Sequence, residues 1–159
     1  MTGFRVSMDR DANRAVITSN EAFRLESTWT FVAGTTGAIA QHTLFTVTGN
    51  VLAMAFGICD TSLTSGGAAT LSIGTANNVA VLSDDSVITA TDLDDGEILT
   101  GSATPPVEAG SLPPLKIIND GADITLDILT ATITGGVIDF YCLWRPLSSN
   151  GLVEVTTPA

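Results

Sequence analysis

The sequence predicts an all-β domain, an antiparallel β-sandwich or a jelly-roll-like barrel, that carries an extended N-terminal arm. Three observations support this fold class. Apolar residues alternate with Thr and Asp in several short runs, as they do in strands with one buried face. Turn signals rich in Gly, Asn and Asp separate these runs, which is typical of sandwiches and barrels. No helix with recognisable caps is found, and the one local candidate is the short EAFRLES, 21–27.

The first predicted strands lie just after the arm. TWTFV, 28–32, alternates large aromatic residues with threonine. HTLFTVTG, 42–49, alternates in the same way, which predicts one face made of Thr43, Phe45 and Val47 and another made of Leu44, Thr46 and Thr48.

Two further runs differ in how clearly they alternate. VLAMAFGIC, Val51–Cys59, is apolar throughout, so it is either buried on both faces or has a second face that meets another subunit. DITLDIL, 123–129, is the most regular run of the chain. It predicts a core face of Ile124, Leu126 and Ile128 and a solvent face of Asp123, Thr125 and Asp127.

The last long strand is predicted over Val137–Arg145, where Pro146 ends it because proline has no N–H for the ladder. One face is wholly apolar and is the core candidate: Ile138, Phe140, Cys142 and Trp144. The other face combines Tyr141 and Leu143 with a charged residue near each end, as a subunit interface with a polar rim does. We therefore expect Tyr141 and Leu143 at a contact between subunits.

The length of 159 residues is that of one domain, which we place at 27–159 after an arm at 1–26. The arm lacks a sustained apolar period and is interpreted as either a contact arm or a plain tail. Residues 1–24 hold four arginines against three acids, whereas the rest of the chain holds two cations against fourteen acids. The arginines are Arg5, Arg10, Arg14 and Arg24.

The composition narrows the range of partners. Charged residues make up only 14% and hydrophobic residues 45%, which favours an apolar subunit interface in a homo-oligomer over a monomer with a core rich in small residues. No apolar run is long enough for a membrane helix. The net charge of −11 disfavours a nucleic-acid partner. The N-terminal residues do not resemble a secretory signal, so we expect synthesis in the cytoplasm.

No catalytic motif is present, and we predict a protein that is not an enzyme and uses no cofactor or metal. The acidic stretch Asp92–Glu97 lacks the spacing of a calcium-binding EF-hand loop and is predicted to be a solvated turn. His42, the one histidine, has no nucleophile motif to serve and is predicted at a strand edge. Cys59 and Cys142 lie in apolar runs, which favours buried free thiols over a disulfide.

Several of these runs together resemble a group of small structural proteins of tailed bacteriophages, the capsid decoration or cement proteins. The resemblance lies in HTLFTVTG, the apolar strand ending at Cys59-Asp60, AATLSIGTANNVAVL, ATDLDDGEIL, INDGADITLDILTATITGG and VIDFYCLWRPLSSNG. It covers Thr28 to Gly151, leaves the arm outside, and is a pattern of strands and turns without a diagnostic motif.

The resemblance implies a virion protein on the outer surface of the capsid, bound to the lattice of the major capsid protein and assembled with itself, as a trimer for example. The four arginines named above are then candidates for contacts with the shell, because guanidinium groups pair well with carboxylates. Their alternative role is to solubilise a tail. The competing function is a head-fibre or tail accessory module that binds a host glycan or receptor through the acidic stretch and the proline-rich segment 101–114. A hydrolase with paired carboxylates is the third hypothesis.

Overall fold

The computed structural model describes residues 23–83, 88–100, 104–108 and 113–158. These residues form ten strands and one short 3-10 helix at Ala90–Asp92. The strands are β1 Phe23–Thr30, β2 Ala40–Thr48, β3 Val51–Ser65, β4 Thr70–Thr75, β5 Ile88–Thr89, β6 Ile98–Leu99, β7 Lys116–Ile118, β8 Ile124–Leu129, β9 Ile133–Pro146 and β10 Leu152–Val155. Within the described residues, no helix is both long and apolar enough to cross a membrane.

The strands form two antiparallel sheets. In the first sheet the order is β1-β9-β3, and both β6 and β7 pair with the remaining edge of β3. In the second sheet the order is β10-β2-β8-β4-β5. This arrangement confirms the predicted all-β sandwich.

The core lies between the two sheets, where each strand contributes the apolar half of its alternating pattern. Trp29 of β1 and Phe140 of β9 are buried and meet edge to face, with ring centroids 6.5 Å apart. Leu126 and Ile128 of β8 are fully buried on the opposing sheet. The core faces predicted for β8 and β9 are therefore confirmed.

The segment predicted as the end of the arm is partly a strand. β1 begins at Phe23, so residues 23–26 belong to the first sheet, and the described part of EAFRLES is a strand. The reason is pairing, because Phe23 to Thr30 align with Trp144 to Val137 of β9 along the whole length of β1. Residues 1–22 lie outside the described residues.

The two faces predicted for β2 are not separated as the sequence suggests. Leu44 and Phe45 are both fully buried, although alternation would place them on opposite sides. A register shift between Thr43 and Phe45 in the pairing with β8 explains this, since an extra residue in one strand reverses the direction of the next side chain. The grouping of Leu44 with Thr46 and Thr48 is therefore wrong.

The predicted solvent face of β8 is also covered. Thr125 and Asp127 are buried, because the turn after β4 folds back over the outer surface of the second sheet beside them. Ser72, the β4 neighbour of Asp127, donates its hydroxyl to the carbonyl of Val79 at 2.8 Å. A Cβ on Gly74, the neighbour of Thr125, would lie 2.2 Å from the carbonyl oxygen of Asn78.

Candidate interaction face

The outer face of the first sheet carries several large apolar side chains that the core does not bury. β3 alternates strictly: the side chains that point inward are buried, while Leu52, Met54 and Phe56 are half-buried and Ile58 is exposed. The interpretation of VLAMAFGIC as a strand buried on both faces is therefore wrong within one chain. The other interpretation, a second face that meets another subunit, remains a prediction.

β9 continues this surface. Its inward residues are buried, and the half-buried Tyr141 and Leu143 lie on the same side as the apolar residues of β3. The structure thus divides β9 as the sequence predicts, with Tyr141 and Leu143 outside the core. A role at a subunit contact is not decided by this position.

The register arranges the outer face in four rows that cross the sheet, each given from β1 or β9 towards β6 or β7. The rows are Arg145, Leu52, Ile117; Arg24, Leu143, Met54; Glu26, Tyr141, Phe56; and Thr28, Asp139, Ile58, Ile98. We call the residues of these rows the outer face. Its centre is apolar, and its polar groups lie at the β1 edge and at the two ends of β9.

Aromatic stacking organises the middle of the outer face. The rings of Phe56 and Tyr141 stack with centroids 5.4 Å apart, and the guanidinium carbon of Arg24 lies 5.6 Å from the Tyr141 centroid. Arg24 also forms an ion pair with Glu26 at 2.8 Å. Partial burial, and then the carboxylates of Glu26 and Asp139, raise the pKa of the Tyr141 hydroxyl, while Arg24 opposes them.

A shallow depression of about 280 Å³ lies at one end of the outer face, between Leu52, Met54, Leu115 and Leu143, with Trp144 and Arg145 at its border. Beside it, Leu115 is 52% exposed and Ile117 is 69% exposed. Sequence reasoning missed both residues, because β7 has only three residues, too few for alternation to be recognised. The signal available was the apolar run around Lys116 just before the NDG turn.

The charges near this surface are separated along the strands. The two arginines of the outer face, Arg24 and Arg145, lie at the end that carries the depression. Lys116 lies at the same end, but it pairs with the inward-facing Ala53 and lines another depression beside Asp120. Asp139 and Asp60 lie towards the other end. The acidic stretch Asp92–Glu97 is attached there too, because the N–H of Cys59 donates to the carbonyl of Glu97 and the N–H of Asp95 to the hydroxyl of Ser62.

The acidic stretch itself ends in a turn. Gly96 has a φ of +85°, and the Glu97 carboxylate accepts the N–H of Asp94 at 2.7 Å. Among the residues that the structure describes, no three His, Cys, Asp or Glu side chains lie together as a metal site would require.

The other candidate residues have ordinary structural surroundings. His42 lies edge-on to Trp29 at 5.6 Å, and its Nε2 is 3.0 Å from the carbonyl oxygen of Ala38. Cys59 and Cys142 are buried free thiols, and burial raises their pKa values to about 11 and about 12. Neither thiol is activated as a nucleophile.

Of the four arginines predicted to contact a shell, only Arg24 is described, and it lies on β1 in the outer face rather than in an arm. Arg5, Arg10 and Arg14 lie outside the described residues. The structure thus brings Arg24 and Tyr141 together, residues that the sequence assigned to two different contacts.

Comparison with known proteins gives a fold likeness. No protein-family model matches the chain, and no curated protein matches it. Among solved structures, a chain in the acidic stable capsid structure of Helicobacter pylori bacteriophage KHP30 matches with a TM-score of 0.52 and 8% sequence identity. The match covers 86% of this chain and 95% of that chain. At this identity the likeness shows a shared fold.

Proposed function

We propose that this protein is a capsid decoration, or cement, protein of a tailed bacteriophage, which binds the assembled lattice of the major capsid protein and stabilises the head. The observation that carries the proposal is the fold shared with a chain of a phage capsid structure over nearly the full length of both chains. The strand and turn pattern between Thr28 and Gly151, which resembles that of cement proteins, supports it independently.

The mechanism is thermodynamic linkage. A protein that binds the assembled shell but not its dissociated subunits stabilises the shell by mass action, by about 2.7 kcal/mol per site when its free concentration is one hundred times Kd. Such a role needs a rigid scaffold with contact surfaces and no reacting groups. The sandwich, with its raised cysteine pKa values, suits that requirement.

The partners in this proposal are proteins, namely the major capsid protein and further copies of the chain. The net charge of −11 argues against contacts with nucleic acid or anionic membranes. The protein acts on the outer surface of the virion after synthesis in the host cytoplasm, without catalysis or a cofactor. Arg5, Arg10 and Arg14 are proposed to pair with carboxylates of the shell. The resemblance to cement proteins favours a trimer.

Rebinding to stripped particles tests this function. Purified protein added to capsids that lack it should bind at micromolar concentration or below and raise the temperature at which the heads rupture. No binding at micromolar concentration, with no change in heat tolerance, contradicts the proposal.

A truncation tests the arm separately. Removing residues 1–22 leaves β1 intact from Phe23, whereas removing residues 1–24 would take the first two residues of that strand. The shorter deletion should weaken rebinding without changing the thermal unfolding of the free protein. Unchanged affinity would refute the role of the arm and leave the cement function standing.

One observation favours a second function, an accessory module that binds host glycans. A depression of about 310 Å³ is lined by amide and charged side chains, among them Asn77, Asn78, Asn119 and Lys116. Such groups are suited to hydrogen bonds with sugar hydroxyls. A saturable signal on a glycan array, lost on replacing Asn77 and Asn119 with Ala, would favour this function over cement.

A further inference from the structure

We propose that the outer face of the first sheet binds the same face of a second copy of this chain, with the strands of the two copies antiparallel, so that the pair has two-fold symmetry. This inference concerns contacts between copies and does not depend on binding to a capsid. Three observations carry it: the apolar centre of the face, the positions of its charges and its area.

The charges of the outer face match themselves when one copy is reversed. The four rows run from the Arg145 row to the Asp139 row, and their order is reversed in an antiparallel partner. The first row of one copy then lies over the fourth row of the other, and the second row over the third. Arg145 then lies over the partner's Asp139, and Arg24 over the partner's Glu26. Two-fold symmetry makes each of these contacts twice.

The same alignment brings apolar groups together at the centre. Leu143 lies over the partner's Tyr141, Met54 over the partner's Phe56, and Leu52 over the partner's Ile58. Charged groups are thus confined to the β1 edge and to the ends, where a polar rim surrounds the apolar centre. In this position the half-buried residues of β3 and β9 become the second buried layer that their composition suggests.

The opposite orientation is disfavoured by the same charges. If the strands of the two copies were parallel, the cationic ends would face each other, and Asp139 would lie beside the partner's Asp139 or Asp60. Like charges face to face are costly at an interface, so the charges select the antiparallel arrangement.

The area of the face reaches the size that a biological interface needs. Four strands about 4.8 Å apart and eight residues with a rise of about 3.4 Å give roughly 500 Å² of face per copy. Two copies then bury about 1,000 Å², which reaches the lower limit for a biological interface. The exposed Leu115, just before β7, adds apolar area beside the row of Ile117.

The pairing has two consequences for the residues predicted from the sequence. The pairing places Tyr141 and Leu143 in a contact between subunits, the role that the sequence suggests for them, and it places Arg24 in this contact rather than at the shell. A face-to-face pair closes as a dimer, so a trimer would require a different contact.

Charge exchange between variants tests the pairing. Arg145→Glu alone and Asp139→Arg alone each place like charges opposite each other, and each should raise the dimer Kd by roughly tenfold or more. An equimolar mixture of the two variants should regain the wild-type affinity, because both charge pairs are complementary in the mixed dimer. Analytical ultracentrifugation of the full chain gives all three values.

The control is Glu154→Arg, an exposed charge reversal on β10 of the second sheet, which should leave the dimer Kd unchanged. Thermal unfolding of each variant checks that the fold is intact. A wild-type chain that is monomeric at about 100 μM, or a mixture no tighter than the single variants, overturns the proposal. A trimer that the two reversals do not weaken overturns it as well.

Discussion

Asp127 lies on the outer side of the second sheet, yet only 7% of its surface is exposed. Burial raises the pKa of its carboxyl above the ordinary value, and the nearby His42 opposes this effect only in part. Alternation along β8 predicts a solvent-facing side chain here. The turn that covers its neighbours comes from another part of the chain, 76–83, so the local pattern of β8 contains no sign of it.

The raised pKa of Asp127 predicts how the stability of the fold changes with pH. For an acid whose pKa is higher in the folded state, stability is greatest below the unfolded-state pKa and falls as the pH rises through the folded-state value. Asp127→Asn removes the cost of burying an ionised carboxylate at this position. The variant should therefore exceed the wild type in free energy of unfolding at pH 7, and the gain should shrink towards zero at about pH 3.5, just below the pKa of an unperturbed Asp.

Chemical denaturation at both pH values measures this difference. Asp60→Asn, at an exposed position on β3, is the matched control and should show no comparable gain at pH 7. A gain of equal size at pH 7 and pH 3.5, or a loss at pH 7, would contradict the account of Asp127.

At the scale of single elements, β9 is the strand whose prediction the structure confirms best. From Ile138 to Trp144 it pairs on both sides, with β1 and β3 in an unshifted register, so each face has a uniform environment there. Ile138, Phe140 and Cys142 are fully buried, whereas Tyr141 and Leu143 are half-buried. A central strand of this kind expresses its period of two without interruption.

The two faces of β9 should respond differently to substitution. Replacing Tyr141 and Leu143 with Ser should raise the dimer Kd by roughly tenfold or more, because these side chains form the centre of the contact. The free energy of unfolding of the monomer should fall by only about 1 kcal/mol for each residue, since neither is fully buried.

Phe140→Ser is the contrasting variant on the core face, and it should cost about 3–5 kcal/mol of stability. Sedimentation and chemical denaturation measure the two effects separately. An oligomer of unchanged size and stability in the Tyr141 and Leu143 variant would refute the division of β9 into a core side and a contact side.

Other elements could be predicted only in part, for reasons that are physical. The sequence indicates both faces of β9 and the core face of β8, because alternation there is local. It does not indicate the bulge that buries Leu44 beside Phe45, since a bulge depends on the register with β8. It does not indicate β7 either, and so it misses Ile117, which belongs to the outer face, and Leu115, which lines the depression beside it.

β1 shows the same dependence on pairing. The segment FRLES, 23–27, has no strong strand propensity. It is a strand because its backbone pairs with Trp144 to Phe140 of β9. The sequence therefore predicts the part of the candidate site on β9, Tyr141 and Leu143. Which residues of β1, β3, β6 and β7 lie beside them depends on the strand registers, which the sequence does not show.

At the scale of the whole molecule, the described chain has one surface that is both apolar and electrically polarised. Along the outer face, Arg24 and Arg145 lie towards one end of the first sheet, and Asp60, Asp139 and the acidic stretch lie towards the other. The net charge of −11 disfavours random association between molecules. The proposed pairing overcomes this repulsion with a contact in which charges of opposite sign meet.

Electron microscopy of the parent virion, with and without this protein, is the decisive measurement for the cement function, because it gives position and stoichiometry together. A cement protein should give regular density on the outer surface of the head, repeated with the capsid lattice and lost from particles that lack the protein. Density confined to the tail or to fibre tips, or heads of unchanged appearance and heat tolerance in its absence, would contradict it.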